Sequence, residues 1–269
     1  MNKNAIYAII VGIIIVIAAV GVYFVLKDDS KANNVTFLVQ DGDGVYFWMD
    51  GNGETADKAV INAAERSGVE IDYTYSEEGS MFLSEIGGLS GSSEAPWIWW
   101  MLYTYKDDKW TYSENEGLSA IKSADYDYLG LFYGNGTYDL ESLPDVKDSK
   151  AWDKSETGTV FTIVSPAGMY FKMNGSGETV FDAFDSMCST YKLPFEPSDS
   201  PTYGKGINSF YGLEMKQVGD DWVYWVQGVI KDGAWAMAPT SMSSLTSADH
   251  PHFLVYYGMF EQIPDVPTS

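Results

Sequence analysis

The stretch VYFWMDGNGET at residues 45–55 returns as MYFKMNGSGET at residues 169–179, without gaps and 124 positions later. Shorter matches keep nearly the same spacing along the chain. With an offset of 125 positions, Trp97, Trp100 and Trp110 align with Trp222, Trp225 and Trp235. Ordered matches of this kind over about 100 residues indicate an internal duplication. The sequence therefore predicts two copies of one module.

Each copy predicts the same opening elements. The predicted strands are 35–40 and 45–49 in the first copy, and 160–164 and 169–173 in the second. A Gly-x-Gly-Glu-Thr turn follows, and its glycines are expected to supply positive φ angles. Apolar residues then recur at helical spacing, and Thr179 with Asp182 is placed to cap the helix. Its apolar face consists of Val180, Ala183, Phe184, Met187, Cys188 and Tyr191.

An aromatic hairpin follows in each copy, after a variable connection. The first hairpin turns at residues 106–108, and the second turns at residues 231–233, where Asp-Gly lies between two aromatic runs. A last strand, at 129–133 or 253–257, closes the copy. One helix packed on a small mixed sheet is the economical arrangement of these elements, so the predicted fold class is α+β.

The N-terminal stretch at residues 5–26 carries no charge and is apolar or small apart from two tyrosines. As a helix it would be about 33 Å long, enough to cross a bilayer. The apolar run continues past its small residues, which favours an uncleaved signal anchor over a signal peptide. Sequons for N-glycosylation at Asn34, Asn135 and Asn174 favour a body outside the cell. The prediction is a single-pass membrane protein with its C-terminal body outside the cell.

The division of the chain follows from the anchor and the repeat. The predicted parts are an anchor at 1–27, a linker at 28–34, module 1 at 35–140, a linker at 141–157, module 2 at 158–262 and a tail at 263–269. The chain has one cysteine, Cys188, so no disulfide can join the modules. Its place on the apolar face of a helix predicts a small buried hydrophobe rather than a reactive thiol.

Four stretches of the second copy carry a family resemblance. They are GETVFDAF at 177–184, the stretch at 207–213 that ends in Gly-Leu, DWVYWVQG at 221–228 and VYYG at 255–258. The copy resembles the domains similar to the C-terminal β-domain of transcobalamin and intrinsic factor, which recur in prokaryotic, especially archaeal, surface proteins. The resemblance implies a β-grasp-like module and a corrinoid ligand. The family's Asn-Gly hairpin is Gln227-Gly228 in this chain, and its Asp-x-His-x-x-Gly pattern is absent, so a corrinoid would be held without histidine coordination.

The charge of the chain limits its partners. It has 38 acidic and 16 basic side chains, and its net charge of −22 argues against a nucleic-acid partner. The sequence contains no Gly-x-Ser-x-Gly, His-Glu-x-x-His or phosphate-loop motif. Carboxylates are so common that no catalytic pair can be singled out. The sequence therefore predicts a binding protein rather than an enzyme, with no catalytic residue and no cofactor other than a corrinoid bound as ligand.

Two segments were candidates for a metal ion on composition alone. His250 and His252 flank a proline, but no third ligand is identifiable, and a polar lead-in to the last strand is favoured. The DGDG stretch at 41–44 could begin a calcium loop. The second copy has SPAG at the matching residues 165–168, so a hairpin turn is favoured. No metal site is predicted.

Aromatic density in the hairpins is the feature that points to binding. The predicted ligand-binding residues are Trp97, Trp99, Trp100, Trp110, Trp222, Tyr224, Trp225 and Trp235. Strand alternation puts Trp97 and Trp99 on one face and Trp100 on the other. One row of rings can therefore face a ligand, since exposed Trp and Tyr are common in contact surfaces. Packing of these rows between the modules is the alternative.

Two functions fit these observations. The first is a membrane-anchored extracytoplasmic binding protein whose aromatic hairpins hold a small molecule, with a corrinoid among the candidates. The second is a structural or adhesive cell-envelope protein whose modules act as spacers or contact a protein or glycan. Quenching of tryptophan fluorescence by a soluble ligand would favour the first. Self-association without a small ligand would favour the second.

Overall fold

The computed structural model describes residues 33–268, apart from 115, 137, 139, 141–142, 203 and 261. The first copy consists of β1 (Asn34–Gln40), β2 (Tyr46–Asn52), α1 (Ala56–Ser67), β3 (Ile71–Tyr75), β4 (Met81–Ile86), β5 (Leu89–Ser90), β6 (Trp99–Lys106), β7 (Lys109–Tyr112) and β8 (Tyr128–Gly134). The second consists of β9 (Thr159–Val164), β10 (Tyr170–Gly175), α2 (Val180–Tyr191), β11 (Phe195–Ser200), β12 (Gly204–Phe210), β13 (Leu213–Glu214), β14 (Lys216–Val218), β15 (Asp221–Lys231), β16 (Ala234–Met237) and β17 (His252–Met259).

The strands form four sheets. The large sheet of the first copy has the order β2-β1-β8-β6-β7, and that of the second has the order β10-β9-β17-β15-β14, with β16 also paired to β15. In each large sheet the first and last strands of the copy pair in parallel, β1 with β8 and β9 with β17. Two three-stranded sheets, β3-β4-β5 and β11-β12-β13, complete the set.

The predicted fold, an α+β chain with a transmembrane helix before two β-grasp-like modules of one helix on one small sheet each, is wrong. The described chain is mostly β, with 17 strands in four sheets against two 12-residue α-helices. The prediction missed the second sheet of each copy. The connection after each helix folds into that sheet because a tight turn closes it. Gly87 and Gly88 both have positive φ, as do Tyr211 and Gly212, which suits two-residue hairpin loops.

The four sheets contact one another in sequence around a closed, β-propeller-like ring. Within each copy the small sheet packs on the large one, through β4 and β6 or through β12 and β15. Between the copies, the backbone amide of Tyr170 donates to the carbonyl oxygen of Gly87 at 2.8 Å. The hydroxyl of Tyr211 donates to the carbonyl oxygen of Tyr46. Each copy thus touches the other through its second strand and its small sheet.

One hydrophobic cluster runs through both copies. Its link between them is a stack of two matching rings, Phe47 and Phe171, whose centroids lie 4.6 Å apart. Both side chains are buried, with 2% and 0% exposure. Burial of each ring contributes about 1.5–3 kcal/mol relative to exposure. The two copies therefore share a continuous core.

The segments after the last strands cover the outer faces of the large sheets. Val146 is buried in a cluster with Trp48 on the first sheet, and Val266 packs on the cluster that contains Leu254 on the second. The two segments read LPDV at 143–146 and IPDV at 263–266, a further match between the copies. Residues that the sequence analysis assigned to a linker and a tail therefore pack on the copies that they follow.

The glycine at the end of the second strand has a packing role. A Cβ atom added at Gly51 would lie 1.9 Å from the carbonyl oxygen of Ala59, and one added at Gly175 would lie 1.9 Å from that of Ala183. Neither glycine has a positive φ, so the predicted reason for these glycines is wrong. The Gly-x-Gly-Glu-Thr motif has glycine at these two positions because the helix lies directly on the strand and leaves no space for a Cβ atom.

Helix α2 confirms the predicted capping pair. The Thr179 hydroxyl accepts from the Asp182 amide at 3.1 Å, and the Asp182 carboxylate accepts from the Thr179 amide at 3.2 Å. The apolar face of the helix is buried as the spacing predicts. Helix α1 begins differently, because the Thr55 side chain makes no cap bond and donates to the Asp57 carboxylate instead.

The predicted membrane anchor at 5–26 lies outside the described residues. Within residues 33–268, with the gaps given above, no helix is long and apolar enough to span a bilayer. We therefore correct the prediction of a single-pass membrane protein with its body outside the cell. That prediction rested on the hydropathy of one segment and on three short sequons, and neither pattern establishes a spanning helix.

Candidate ligand-binding cleft

Strand β15 is paired along only part of one side. On the first side, residues 223–229 pair continuously with β17. On the other side, the ladder with β14 ends at Val223 and the ladder with β16 begins at Gly228. The Ala238 amide donates to the Gln227 carbonyl oxygen at 3.0 Å and extends the second ladder by one bond. Within the described part of the chain, residues 224–226 have no strand partner on this side.

A cleft of about 690 Å³ lies at this open edge. Residues 224–227 line it together with residues 204–207 of β12 and with the segment at 237–241 after β16. A second space of about 490 Å³ adjoins it, and Met215, Tyr224 and Phe260 line both. We call the two spaces the first and second lobes of one groove. Their volumes fall in the range of small-molecule sites.

The groove exposes large apolar side chains. Met215 is 60% exposed, Phe260 is 55% exposed and Trp222 is 50% exposed, and all three line the second lobe. Single exposed apolar residues are ordinary on protein surfaces, whereas a group of them around a cleft marks a contact site. The second lobe therefore offers a ligand an apolar wall.

The first lobe has a polar rim. Its hydroxyl and amide groups belong to Ser198, Ser200, Thr202, Thr240, Ser241, Ser244 and Gln227. The Ser241 hydroxyl lies 3.2 Å from that of Ser243 and 3.1 Å from that of Ser244, which fixes this part of the rim. Lys205 is the one cation among the described residues that line this lobe, and Asp220 and Asp221 line the second lobe. The groove therefore has an apolar middle between ends of different charge.

Two residues of the predicted set are structural tryptophans. Trp100 is 8% exposed and Trp225 is 3% exposed. The indole N–H of Trp100 donates to the carbonyl oxygen of Leu89 at 2.9 Å. That of Trp225 lies 3.1 Å from the oxygen of Phe210 and 3.0 Å from that of Leu213. Each tryptophan ties the small sheet of its copy to the large one, and Trp225 also lines the first lobe.

Two more predicted residues lie on the outer faces of the sheets. Trp110 packs against Phe132, with ring centroids 5.6 Å apart. The indole N–H of Trp235 donates to the carbonyl oxygen of Val266 at 3.1 Å. Both rings are therefore covered by segments of their own copy and lie away from the groove.

The other four predicted residues reach the surface. Trp97 is 54% exposed and Trp99 is 40% exposed, with ring centroids 5.8 Å apart, so the predicted separation of this pair from buried Trp100 is confirmed. Trp222 and Tyr224 line the groove. Of the predicted set, the structure thus brings Trp222, Tyr224 and Trp225 to one site and leaves the first-copy residues elsewhere.

Sequence reasoning missed the groove residues that are not aromatic hairpin positions. Met215, Lys205 and Phe260 all line it. A position-by-position comparison of the copies would have found Met215 and Phe260, because the first copy has Gly91 and Gly136 at the matching positions. A change between glycine and a large side chain in a repeat marks a local change of surface.

The three sequons differ in accessibility. Asn135 is exposed on the loop after β8, and Asn34 begins β1 and accepts a bond from Asn52 at 2.9 Å. Asn174 is 7% exposed. Its amide donates to the Thr157 carbonyl oxygen at 2.6 Å, and it accepts from the Tyr191 hydroxyl at 2.7 Å. Attachment of a glycan to this buried, hydrogen-bonded side chain would require it to move out of its site.

The residues weighed as metal ligands serve the fold. The Asp41 carboxylate accepts from the amides of Asp43 and Val45 at 2.9 Å each, which confirms a hairpin turn. Burial of Asp41 between the copies raises its pKa to about 6, although these amides and the Ser165 hydroxyl favour the charged form. Among the described residues, no group of three or more His, Cys, Asp or Glu side chains could hold a metal ion.

Cys188 lies on the buried face of α2, where the sequence predicts it. Burial raises the pKa of its thiol, with a further contribution from the Asp185 carboxylate. A thiol with a raised pKa is a poor nucleophile at neutral pH, because the thiolate is the reactive form. The structure therefore assigns Cys188 to the core.

Comparison of the chain with protein-family models, with curated proteins and with solved structures finds no match. The resemblance to transcobalamin-type β-domains therefore stays a sequence-based expectation. The function has to be argued from the groove.

Proposed function

We propose that this chain is a binding protein whose ligand occupies the groove of the second copy. The observation that carries the proposal is the group of exposed apolar side chains, Met215, Trp222 and Phe260, around a cleft at an interrupted sheet edge. An unliganded surface of this kind leaves apolar area in water, and a ligand that covers it gains about 25 cal/mol for each Å² removed from water. The proposal contains no catalytic step.

The lining of the groove indicates the chemistry of the ligand. Its apolar middle suits a flat or branched apolar surface, and the hydroxyl rim of the first lobe suits amide or hydroxyl groups at the ligand's edge. The family resemblance adds corrinoids as the first molecules to test, since they are broad rings fringed with amides. Contact would be through Met215, Tyr224 and the rim, without coordination of the metal by histidine.

The test is a titration of the protein's tryptophan fluorescence with cyanocobalamin and with cobinamide, corrected for ligand absorbance. The blocking variant is Gly206→Phe, because Gly206 lines the first lobe and the first copy has Phe82 at the matching position of its own strand. A Cβ at Gly206 would lie 3.3 Å from the Ser198 hydroxyl oxygen and 3.6 Å from the Gln227 amide nitrogen, so these two side-chain ends must shift slightly when the ring enters the lobe.

Saturable quenching is expected in the unsubstituted protein, with at least about tenfold weaker binding in Gly206→Phe, equivalent to about 1.4 kcal/mol. Trp97→Phe, in the first copy, is the matched control and should leave the affinity within about twofold. The neutral dye Nile red tests the groove independently of corrinoids. The proposal fails when neither corrinoid gives a saturable signal and the dye binds Gly206→Phe as well as it binds the unsubstituted protein.

A second candidate function rests on a different surface. The first copy exposes Trp97 and Trp99 side by side, together with Tyr75 and Phe82 on its small sheet. The exposed tryptophan pair supports the alternative of a structural or adhesive protein that contacts a protein or glycan. Sedimentation of the protein over a hundredfold range of concentration is the test. A mass that rises with concentration and falls to the monomer value in Trp99→Ser favours this candidate.

A further inference from the structure

We propose that the ligand of the groove is an extended peptide segment that adds a strand to the open edge of β15. This inference rests on the proposed function, because it concerns the same groove and names the class of ligand. Its starting point is the interruption of pairing between Val223 and Gly228, which lies in the lining of the first lobe. Peptides commonly bind sheets by supplying a missing strand.

The pairing of β15 fixes which backbone groups face the gap. The N–H and C=O groups of one residue in an antiparallel strand point to the same side, and successive residues alternate. The Gln227 carbonyl oxygen accepts from Ala238 on the side of β16. The ladder with β17 runs from Val223 to Val229 without a register shift. The N–H and C=O groups of Trp225, two residues before Gln227, therefore point into the gap.

The length of the gap sets the length of the peptide. The ladder with β14 ends at Val223 and the last bond on the side of β16 is at Gln227, so the two ends of the gap are four residues apart, about 13 Å along an extended strand. A segment of about three residues fits between β14 and β16 on the same side of β15. Such a segment would exchange a pair of hydrogen bonds with Trp225 and would complete a ladder that β14 and β16 already flank.

The charge of the groove selects among peptides. Asp220 and Asp221 line the second lobe, and the whole chain has a net charge of −22. Acidic peptides are therefore repelled, whereas a lysine or arginine next to the second lobe is favoured. The central side chains of the peptide would alternate between the apolar wall at Met215 and the hydroxyl rim. The expected ligand is a neutral or basic segment rich in β-branched residues, which favour the extended conformation.

The experiment begins with a pool of N-acetylated, C-amidated tripeptides that carry Val, Thr, Leu or Lys at each position. The full-length protein and its Gly206→Phe variant are incubated with the pool, and retained peptides are quantified by mass spectrometry. At least about tenfold enrichment on the unsubstituted protein is expected. The best peptide is then resynthesised with one backbone amide N-methylated at a time, which removes one donor and leaves the side chains unchanged.

N-methylation is expected to weaken binding at least about tenfold at the one amide that donates to the Trp225 carbonyl oxygen, and to change it less than about threefold at the other positions. Uniform sensitivity or insensitivity along the peptide would overturn strand addition. Absence of enrichment together with saturable quenching by a corrinoid would overturn the peptide inference and leave the proposed function standing. Failure of peptides, corrinoids and the dye to distinguish Gly206→Phe would overturn both.

Discussion

The two copies share their interior and differ at one surface. Trp100 and Trp225 are buried at matching positions, and each donates its indole N–H to a carbonyl oxygen of its small sheet. The sheet edge is also interrupted in both copies. In the first, the ladder of β6 with β7 begins at Tyr103, and a single bridge joins Ser92 to Ile98 further along. The interruption belongs to the fold, and the side chains around it decide what it can bind.

Three differences between those side chains exchange glycine for a large apolar residue. The second copy has Met215 and Phe260 where the first has Gly91 and Gly136, and it has Gly206 where the first has Phe82. These changes add apolar walls to the second lobe and leave the first lobe open. The two copies therefore have the same core, and a few differences in surface side chains form the groove of the second copy.

The largest expected effect tests the shared interior. Trp100→Ala and Trp225→Ala should each lower the free energy of unfolding by about 3–5 kcal/mol, because each removes a buried ring and leaves carbonyl oxygens without their donor. Denaturation by urea, followed by circular dichroism, measures both. A cost below about 1 kcal/mol for either variant would show that the two tryptophans are not equivalent.

The second prediction concerns a position where the copies differ in charge. Asp41 is buried between the copies with its pKa raised to about 6 from 3.8, and Ser165 occupies the matching position. Between pH 4 and 6 the folded state binds more protons at Asp41 than the unfolded state does. The free energy of unfolding should therefore fall as the pH rises through this window, by about 3 kcal/mol from this group.

Asp41→Asn keeps the acceptor for the two turn amides and removes the charge. Asn at position 41 does not titrate, so its contribution to the free energy of unfolding should be constant between pH 4 and 7. The free energy of unfolding of the variant should therefore rise, relative to that of the unsubstituted protein, as the pH increases to 7. Urea denaturation at pH 4, 5, 6 and 7 measures that difference. A difference that does not change with pH would contradict the raised pKa.

The third prediction concerns the close contact of helix and strand. Gly51→Ala and Gly175→Ala should each destabilise the protein by about 1–3 kcal/mol, because the added methyl group would lie 1.9 Å from a helix carbonyl oxygen. Gly117→Ala is the control, since no atom lies within 4 Å of its added Cβ. Equal melting temperatures for Gly175→Ala and Gly117→Ala would rule out the packing role.

The smallest expected effect concerns the N-terminal caps of the two helices, Thr55 and Thr179. Thr179→Ala removes a capping bond and should cost about 1 kcal/mol. Thr55→Ala removes no such bond and should cost less than about 0.5 kcal/mol. Thermal unfolding of the two variants side by side measures the difference. Equal losses would show that the first helix start is capped in solution as well.

The sequence predicted the repeat-specific local features well where a short pattern encodes them. The helix over Val180–Tyr191, its Thr179 cap and the hairpin turns at 106–108 and 231–233 all follow from spacing and turn chemistry within a few residues. The fold class failed because the small sheets depend on pairing between segments whose strands are short and whose apolar pattern is weak. The predicted anchor at 5–26 lies outside the described residues, and no helix in the part of the chain that the structure describes is long and apolar enough to span a bilayer.

The groove could not be predicted from hairpin aromatics. Its lining includes residues of β12, residues on either side of β14 and Phe260 after β17, which are distant in the chain and meet because the small sheet of the second copy packs on its large sheet. Aromatic density pointed to Trp222 and Tyr224 correctly as surface residues, and it also pointed to Trp110 and Trp235, which are covered by their own copy. Counting aromatic residues does not separate covered rings from exposed ones.

The most direct test of the groove is fluorine NMR of the full-length protein with 5-fluorotryptophan at all nine tryptophan positions. Single Trp→Phe variants assign the resonances, and the best peptide or corrinoid from the titrations is the added ligand. The resonances of Trp222 and Trp225 should shift on binding, while those of Trp97 and Trp110 should stay within the linewidth. A shift confined to Trp97 and Trp99 would place the ligand on the first copy and contradict the assignment of the groove as the binding site.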